Sequence, residues 1–294
     1  MSRTKPIIAI SAILALSSFV SAQTPPVTPT PASPSPATAP TPPPASTTTP
    51  TATATATYSL KAAMKPSDVT NYISQVDLQT PDGTPVNVIA TVTQKVTAAD
   101  ANTFTLEQSQ SNMHIEVNGQ DQTTSIPSGT LTVVYGVNGL VQTMKSPDPT
   151  FGYEDAYREE VLDTFLAPDK PVQIGDEWSL ALAAVKDKWL ATQLHYKLIG
   201  TETVGGIACL KISATAKETT GDEPASTDGT VWVDASTFKL VKKVVKVTNY
   251  PVPGAPFPIT GTASFTLSPS ASGTTATPPA AAPATGTTAP TPHS

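Results

Sequence analysis

The chain has 294 residues, 14% of them charged, with 31 prolines, one cysteine and a formal net charge of −6. A lone Cys209 excludes an intramolecular disulfide. An acidic chain without a basic cluster is repelled by phosphate backbones and anionic headgroups, which argues against nucleic-acid binding.

Arg3 and Lys5 precede an apolar run from Pro6 to Val20, and Val20-Ser21-Ala22 offers small residues where a signal peptidase cuts. Residues 1–22 therefore read as a secretory signal cleaved near Ala22/Gln23, and its loss takes the net charge from −6 to −8. The run is shorter than the roughly 20 apolar residues that span a bilayer. The expectation is an exported chain, periplasmic or secreted, with no transmembrane segment in its mature form.

No charge falls in Gln23–Leu60 or in Val247–Ser294. Residues 23–57 hold eleven prolines among Thr, Ala and Ser, and 269–294 repeat that composition with six. Too few large apolar side chains are present there to offset the entropy of ordering, so both stretches read as disordered, polyproline-rich spacers. Thr-rich spacers are also acceptors for sugars or contacts to cell-wall polymer.

Between them, residues 58–268 carry the strand signals of one β domain. Tyr58, Leu60, Ala62 and Met64 alternate with polar or small residues, and Ile259 to Leu267 is the cleanest period-2 run in the chain. Further runs occupy 76–79, 86–93, 103–108, 113–117, 130–135, 140–144, 178–185, 190–199, 208–216, 230–234 and 240–248. Pro81-Asp82-Gly83, Asn118-Gly119, Asn138-Gly139 and Gly205-Gly206 fall between runs as hairpin turns. The fold class is mainly β, a large curved antiparallel sheet or incomplete barrel.

One segment has helical spacing instead. Tyr153, Tyr157, Val161 and Phe165 recur every fourth residue beside Leu162 and Leu166, which predicts an amphipathic helix over about 153–166, stopped by Pro168. Its five carboxylates, Glu154, Asp155, Glu159, Glu160 and Asp163, are assigned to a solvated face, away from the aromatic stripe. A weak repeat crosses this helix: Gly129 to Val133 with Leu140-Val141 matches Gly229 to Val233 with Leu240-Val241 one hundred residues on. A duplication would give two similar meanders sharing one sheet, with the helix as their connection.

A catalytic reading needs a nucleophile with a base, or an acid and base pair, within hydrogen-bond reach. His293 lies in the tail, while His114 and His195 read as solvent-facing strand residues without a ligand pattern for metal. Cys209, on the strand face opposite Leu210 and Ile212, has no neighbouring His or helix end to activate it. No nucleophile elbow, phosphate loop, dinucleotide fingerprint or zinc-protease helix occurs. The expectation is a non-enzymatic domain with no cofactor and no metal.

The most distinctive string is Pro168 to Trp178, an extended arm, a turn at Gly175-Asp176 and a strand opening on a large aromatic. With Lys65 to Val69 and the hairpin Trp232-Val233-Asp234 to Leu240-Val241-Lys242, it resembles a loosely defined set of exported bacterial proteins similar in outline to the lipoprotein-carrier (LolA/LolB-like) half-barrels. That resemblance implies a curved sheet wrapped around helices and an apolar cavity. One departure is visible, a single helix where carriers of that type use several.

Three readings follow. The domain binds an apolar small molecule, lipid or acyl chain on its concave face, lined by Tyr157, Phe165 and Trp178. Alternatively it is a structural or surface-associated module contacting cell-envelope components, or, least favoured, a hydrolase without a recognisable motif. Limited proteolysis of the full chain is expected to leave a stable fragment spanning about 58–268, and failure to recover one would overturn these bounds.

Overall fold

The computed structural model describes residues 56–60, 64–123, 129–253 and 257–268. The expected signal peptide and almost all of the Pro-rich linker lie outside the described residues, as does the tail from 269. Twelve strands and one helix follow in chain order: β1 (Val69–Gln79), β2 (Pro85–Ala99), β3 (Thr103–Val117), β4 (Gln120–Asp121), β5 (Leu131–Gly136), β6 (Val141–Lys145), α1 (Tyr153–Asp163), β7 (Glu177–Leu182), β8 (Thr192–Val204), β9 (Ile207–Glu218), β10 (Ser226–Asp234), β11 (Leu240–Tyr250) and β12 (Ile259–Leu267).

All twelve belong to one antiparallel sheet, in the order β6-β5-β3-β2-β1-β12-β11-β10-β9-β8-β7 with β4 attached to β3. Two meanders running in the same sense, β1 to β6 and β7 to β12, are thus joined by α1 in the chain and by the β1–β12 ladder in space. The anticipated turns carry the positive φ that reverses a hairpin, at Asn118 (51°), Gly119 (73°), Gly139 (87°), Gly205 (56°) and Gly206 (84°). The strands at 103–108 and 113–117 are one strand, β3. A positive φ at Asn112 and a register shift against β2 between Ile89 and Thr91 let it continue past the irregular stretch.

The sheet is open but strongly curled. Flat strands about 4.8 Å apart would put the edges β6 and β7 roughly 48 Å from each other. Instead Lys188 Nζ, in the β7–β8 turn, donates to the carbonyl of Gln142 in β6 at 2.6 Å. Inside the curl, alternate residues of each strand interlock, with Leu194, Leu198, Leu210, Ile212, Val233, Val247 and Phe265 fully enclosed. A second cluster around Phe104, Val133 and Tyr135 lies under the first meander.

Two expectations are corrected. Tyr58 to Met64 does not form a strand among the described residues: Tyr58 makes one bridge to Val172 through N–H···O contacts of 2.7 and 2.9 Å, and Leu60 drops into the core. The helix ends at Asp163 rather than 166, because Thr164 turns extended (φ −65°, ψ 145°) and delivers Phe165 and Leu166 into the core as arm residues.

β12 pairs with β1 across the seam between the meanders, and Gly261 stands opposite Leu78 there. A Cβ there would overlap the backbone oxygen of Asp77. Gly261→Ala is expected to destabilise the domain by about 2 kcal/mol, lowering Tm by about 4–8 °C at this size. Scanning calorimetry checks this against Thr262→Ala on the exposed face of the same strand, expected to change stability by less than about 0.5 kcal/mol.

Candidate functional site

The helix carries the polar chemistry of the domain, and it carries it inward. Gly152 at its N-terminus gives no side-chain cap, but Glu154 and Asp155 in the first turn answer the exposed N–H groups electrostatically. At the other end the sheet supplies the caps. Thr227 Oγ1 donates to Leu162 O (3.0 Å), Lys243 Nζ to Asp163 O (3.0 Å), Tyr196 Oη to Thr164 O (2.9 Å) and Tyr250 Oη to Glu159 O (3.5 Å). Carbonyls left over by the helix are thereby satisfied from three strands of the second meander.

The carboxylates assigned to a solvated face do not share one. Glu154 is exposed, but Glu159, Glu160 and Asp163 are 1%, 0% and 5% exposed. A helix lying in a curled sheet is enclosed on more than the side its aromatic stripe marks. Tyr153, the first residue of that stripe, is instead the exposed one.

Lys243 Nζ stands 2.7 Å from Asp163 Oδ1 and is the ammonium that faces these acids. Tyr135 Oη donates to Glu160 Oε1 at 2.8 Å and accepts from Gln108 Nε2 at 3.2 Å, with its ring stacked on Phe104. Glu160 Oε2 and Gln108 Oε1 have no hydrogen-bond partner among the described residues. Burial pushes the carboxyl of Glu160 up to about 8, with Asp163 adding to the rise and Tyr135 and Lys243 opposing it. Burial likewise lifts Glu159 well above the ordinary carboxylate range, reinforced by Asp163 and Glu160. It raises Asp163 too, against the pull of Lys243. Near neutrality Asp163 is the natural counter-ion of Lys243, and the two glutamates hold protons.

A second pair is better compensated. Arg158 binds Glu218 through two contacts, Nε to Oε1 at 2.8 Å and Nη2 to Oε2 at 2.9 Å, and Glu218 also accepts from Ala225 N at 2.7 Å. It pins α1 to the end of β9. Beside it opens a cleft of about 530 Å³ with Asp155, Asp222, Glu223, Val252 and Phe257 on its walls.

The residues named for a ligand are packed among other side chains. Phe165 meets Trp178 edge-on (6.0 Å) and Tyr196 (5.1 Å), and Trp178 Nε1 donates to Leu166 O. Tyr157 sits apart, in the cluster under the first meander, against Trp189 and accepting from Met144 N at 2.9 Å. Cys209 is buried with Trp232 and Val241 on the outer side of the sheet, where burial pushes its thiol pKa up. His114 contacts Thr123 and Asp121; His195 contacts Ser179 Oγ at 2.8 Å and lies 3.8 Å from Glu177. The Ser179–His195–Glu177 row lies on open strand surface, and neither it nor His114 borders the 530 Å³ cleft. Among the described residues no group of three or more His, Cys, Asp or Glu could hold a metal ion.

Lys243, Tyr135, Tyr250, Gln108 and the Arg158–Glu218 pair escaped the sequence reading. For Lys243 a signal existed: it shares parity with Val245 and Val247, so an inward register for them places an ammonium inside. Comparison with protein-family models and with curated proteins finds no match.

Arg158→Met leaves Glu218 buried beside a single backbone donor. The expected cost is about 3 kcal/mol, read as the shift of a urea unfolding midpoint at constant slope.

Proposed function

We propose that the chain is an exported, non-catalytic interaction module whose outer sheet face contacts a neutral, hydroxyl-rich polymer of the cell envelope. The observation that carries this reading is the packing of the aromatics that would line a ligand site. Tyr157, Phe165 and Trp178 spend their surface on one another's neighbours, and the acids beneath α1 are sealed from any substrate.

The cleft beside Arg158 is walled by Asp155, Asp222 and Glu223, whereas the centre of the broad convex face is uncharged. Ile73 (42% exposed) and Ile89 (38%) lie diagonally across the β1–β2 ladder. Around them Asn71, Gln75, Thr91, Thr93, Ser264 and Thr266 stand on β1, β2 and β12 in cross-strand register. Lys95, Lys242 and Lys246 occupy the rim with Asp77, Glu107 and Glu116, three charges of each sign. Hydroxyl and amide side chains on a convex pleat, with aliphatic patches and balanced rim charges, match a neutral glycan better than an ionic polymer. The Pro-rich spacers expected on both sides would hold such a module away from its point of attachment.

Co-sedimentation of the full chain with insoluble cellulose, as a neutral glucan, tests the reading. Retention is expected, falling at least tenfold in the Ile73→Lys/Ile89→Lys variant while circular dichroism stays unchanged. Native mass spectrometry is expected to give the bare protein mass. A chain that stays in the supernatant overturns the proposal, and a co-purifying lipid would move the function to the concave face, as the carrier-like resemblance implies.

A further inference from the structure

We propose that the seat of α1 is a protonation-controlled latch: the helix stays docked in the curled sheet while Glu159 and Glu160 are neutral, and undocks as a unit when both ionise, leaving the sheet intact. The inference goes beyond the outer-face reading and does not depend on it.

The geometry puts more acid than base into one dry contact. From α1 come Glu159, Glu160 and Asp163, with Asp155 one turn earlier; from β11 come Lys243 and Tyr250; from β5 comes Tyr135, backed by the uncharged Gln108 of β3. Arg158 does not offset them, because its guanidinium is taken by Glu218 of β9. Lys243 can balance one carboxylate, and Asp163 at 2.7 Å holds that place. A second and third negative charge would have no counter-charge in the seat. The bare Glu160 Oε2 gives the same message, since an ionised carboxylate there gains no donor beyond Tyr135.

The release is local because the two partners are held by different forces. Each sheet ladder runs over many paired backbone groups, and β8–β9 alone pairs Thr192 to Val204 with Ile207 to Glu218. The helix has eleven residues, no side-chain N-cap, and a modest apolar seat of Ala156, Tyr157, Val161 and Leu162. An element tied to the sheet by side chains, with no ladder of paired backbone groups, opens before a ladder does.

The sign follows from the direction of the shifts. These acids bind protons more tightly when docked, so docking is fully stable below their ordinary range and weakens as pH rises through the docked value. For Glu160, between 4.5 and about 8, linkage gives about a hundredfold loss of docking between pH 6 and pH 9. Glu159 adds to it.

Hydrogen–deuterium exchange of the full chain, corrected for intrinsic exchange rates, tests the latch. Protection of the 153–163 peptide is expected to fall about a hundredfold or more from pH 6 to pH 9, while peptides from β8, β9, β1 and β2 keep theirs. In Glu159→Gln/Glu160→Gln the fall should vanish. A pH-independent helix overturns the proposal, as does loss of helix and sheet protection together, which would be global unfolding. The unmodified chain decides both of those outcomes, whatever the variant's own stability.

Discussion

An open sheet that curls has one apolar face and no second sheet to cover it. In this domain α1 is the only helix among the described residues, and together with the arm that follows it, it must fill that role. The consequences run through the whole interior. The helix ends inside the curl, so its last carbonyls meet side chains of β8, β10 and β11 instead of water. Tyr196, Thr227, Lys243 and Tyr250 are inward polar residues in otherwise apolar registers, and each answers a carbonyl from residues 159 to 164. Those inward groups are the helix's caps, displaced onto the sheet.

The same geometry sets the electrostatics. A helix on a flat surface would turn Glu159, Glu160 and Asp163 to solvent, but a helix in a trough cannot. Transfer of a carboxylate into such a place is tolerated when it is paired or when it takes up a proton. Both solutions occur within six residues. Asp163 meets an ammonium, and Glu218 opposite Arg158 meets a fork of two N–H donors and a backbone N–H. Glu159 and Glu160 are left with the other solution. Apolar side chains of similar size would seat the helix more firmly at neutral pH, so these two residues make the docking conditional where it could have been permanent.

Much of the fold was legible because strands write their burial at period two. Ile259 to Leu267 was recovered to the residue, and the turns at Asn118-Gly119, Asn138-Gly139 and Gly205-Gly206 fell where positive φ was needed. β1 was seen only from Val76 because its first half, Val69 to Gln75, places Asn, Ser and Gln between apolar residues. Ser74 is nonetheless buried, and Val69 and Ile73 are exposed. The site was legible only in part. Helical spacing located α1 and its stripe, but a period assigns residues to faces without saying how many faces are covered. That number depends on the curvature of a sheet assembled from strands up to about two hundred residues apart, which no local window contains. Glu160 and Glu154 look alike in sequence and are opposite in burial for that reason.

The position of β12 explains why the sheet can hold its shape without a ladder hydrogen bond to the helix. It is the last strand among the described residues and central in the sheet, paired along both edges, from Tyr72–Leu267 through Gln79–Thr260 with the first meander and from Lys242–Thr266 to Tyr250–Ile259 within the second. Gly261 faces Leu78 of β1 and Val247 of β11, and Gly229 faces Val245 of β11; a side chain at either glycine would collide with the neighbouring backbone. The covalent connection between meanders is therefore not the one that binds them. α1 joins them in sequence and could leave the trough without parting any ladder, because the strands before and after it, β6 and β7, are the two edges of the sheet. A connection freed from the work of holding the halves together is free to respond to protons.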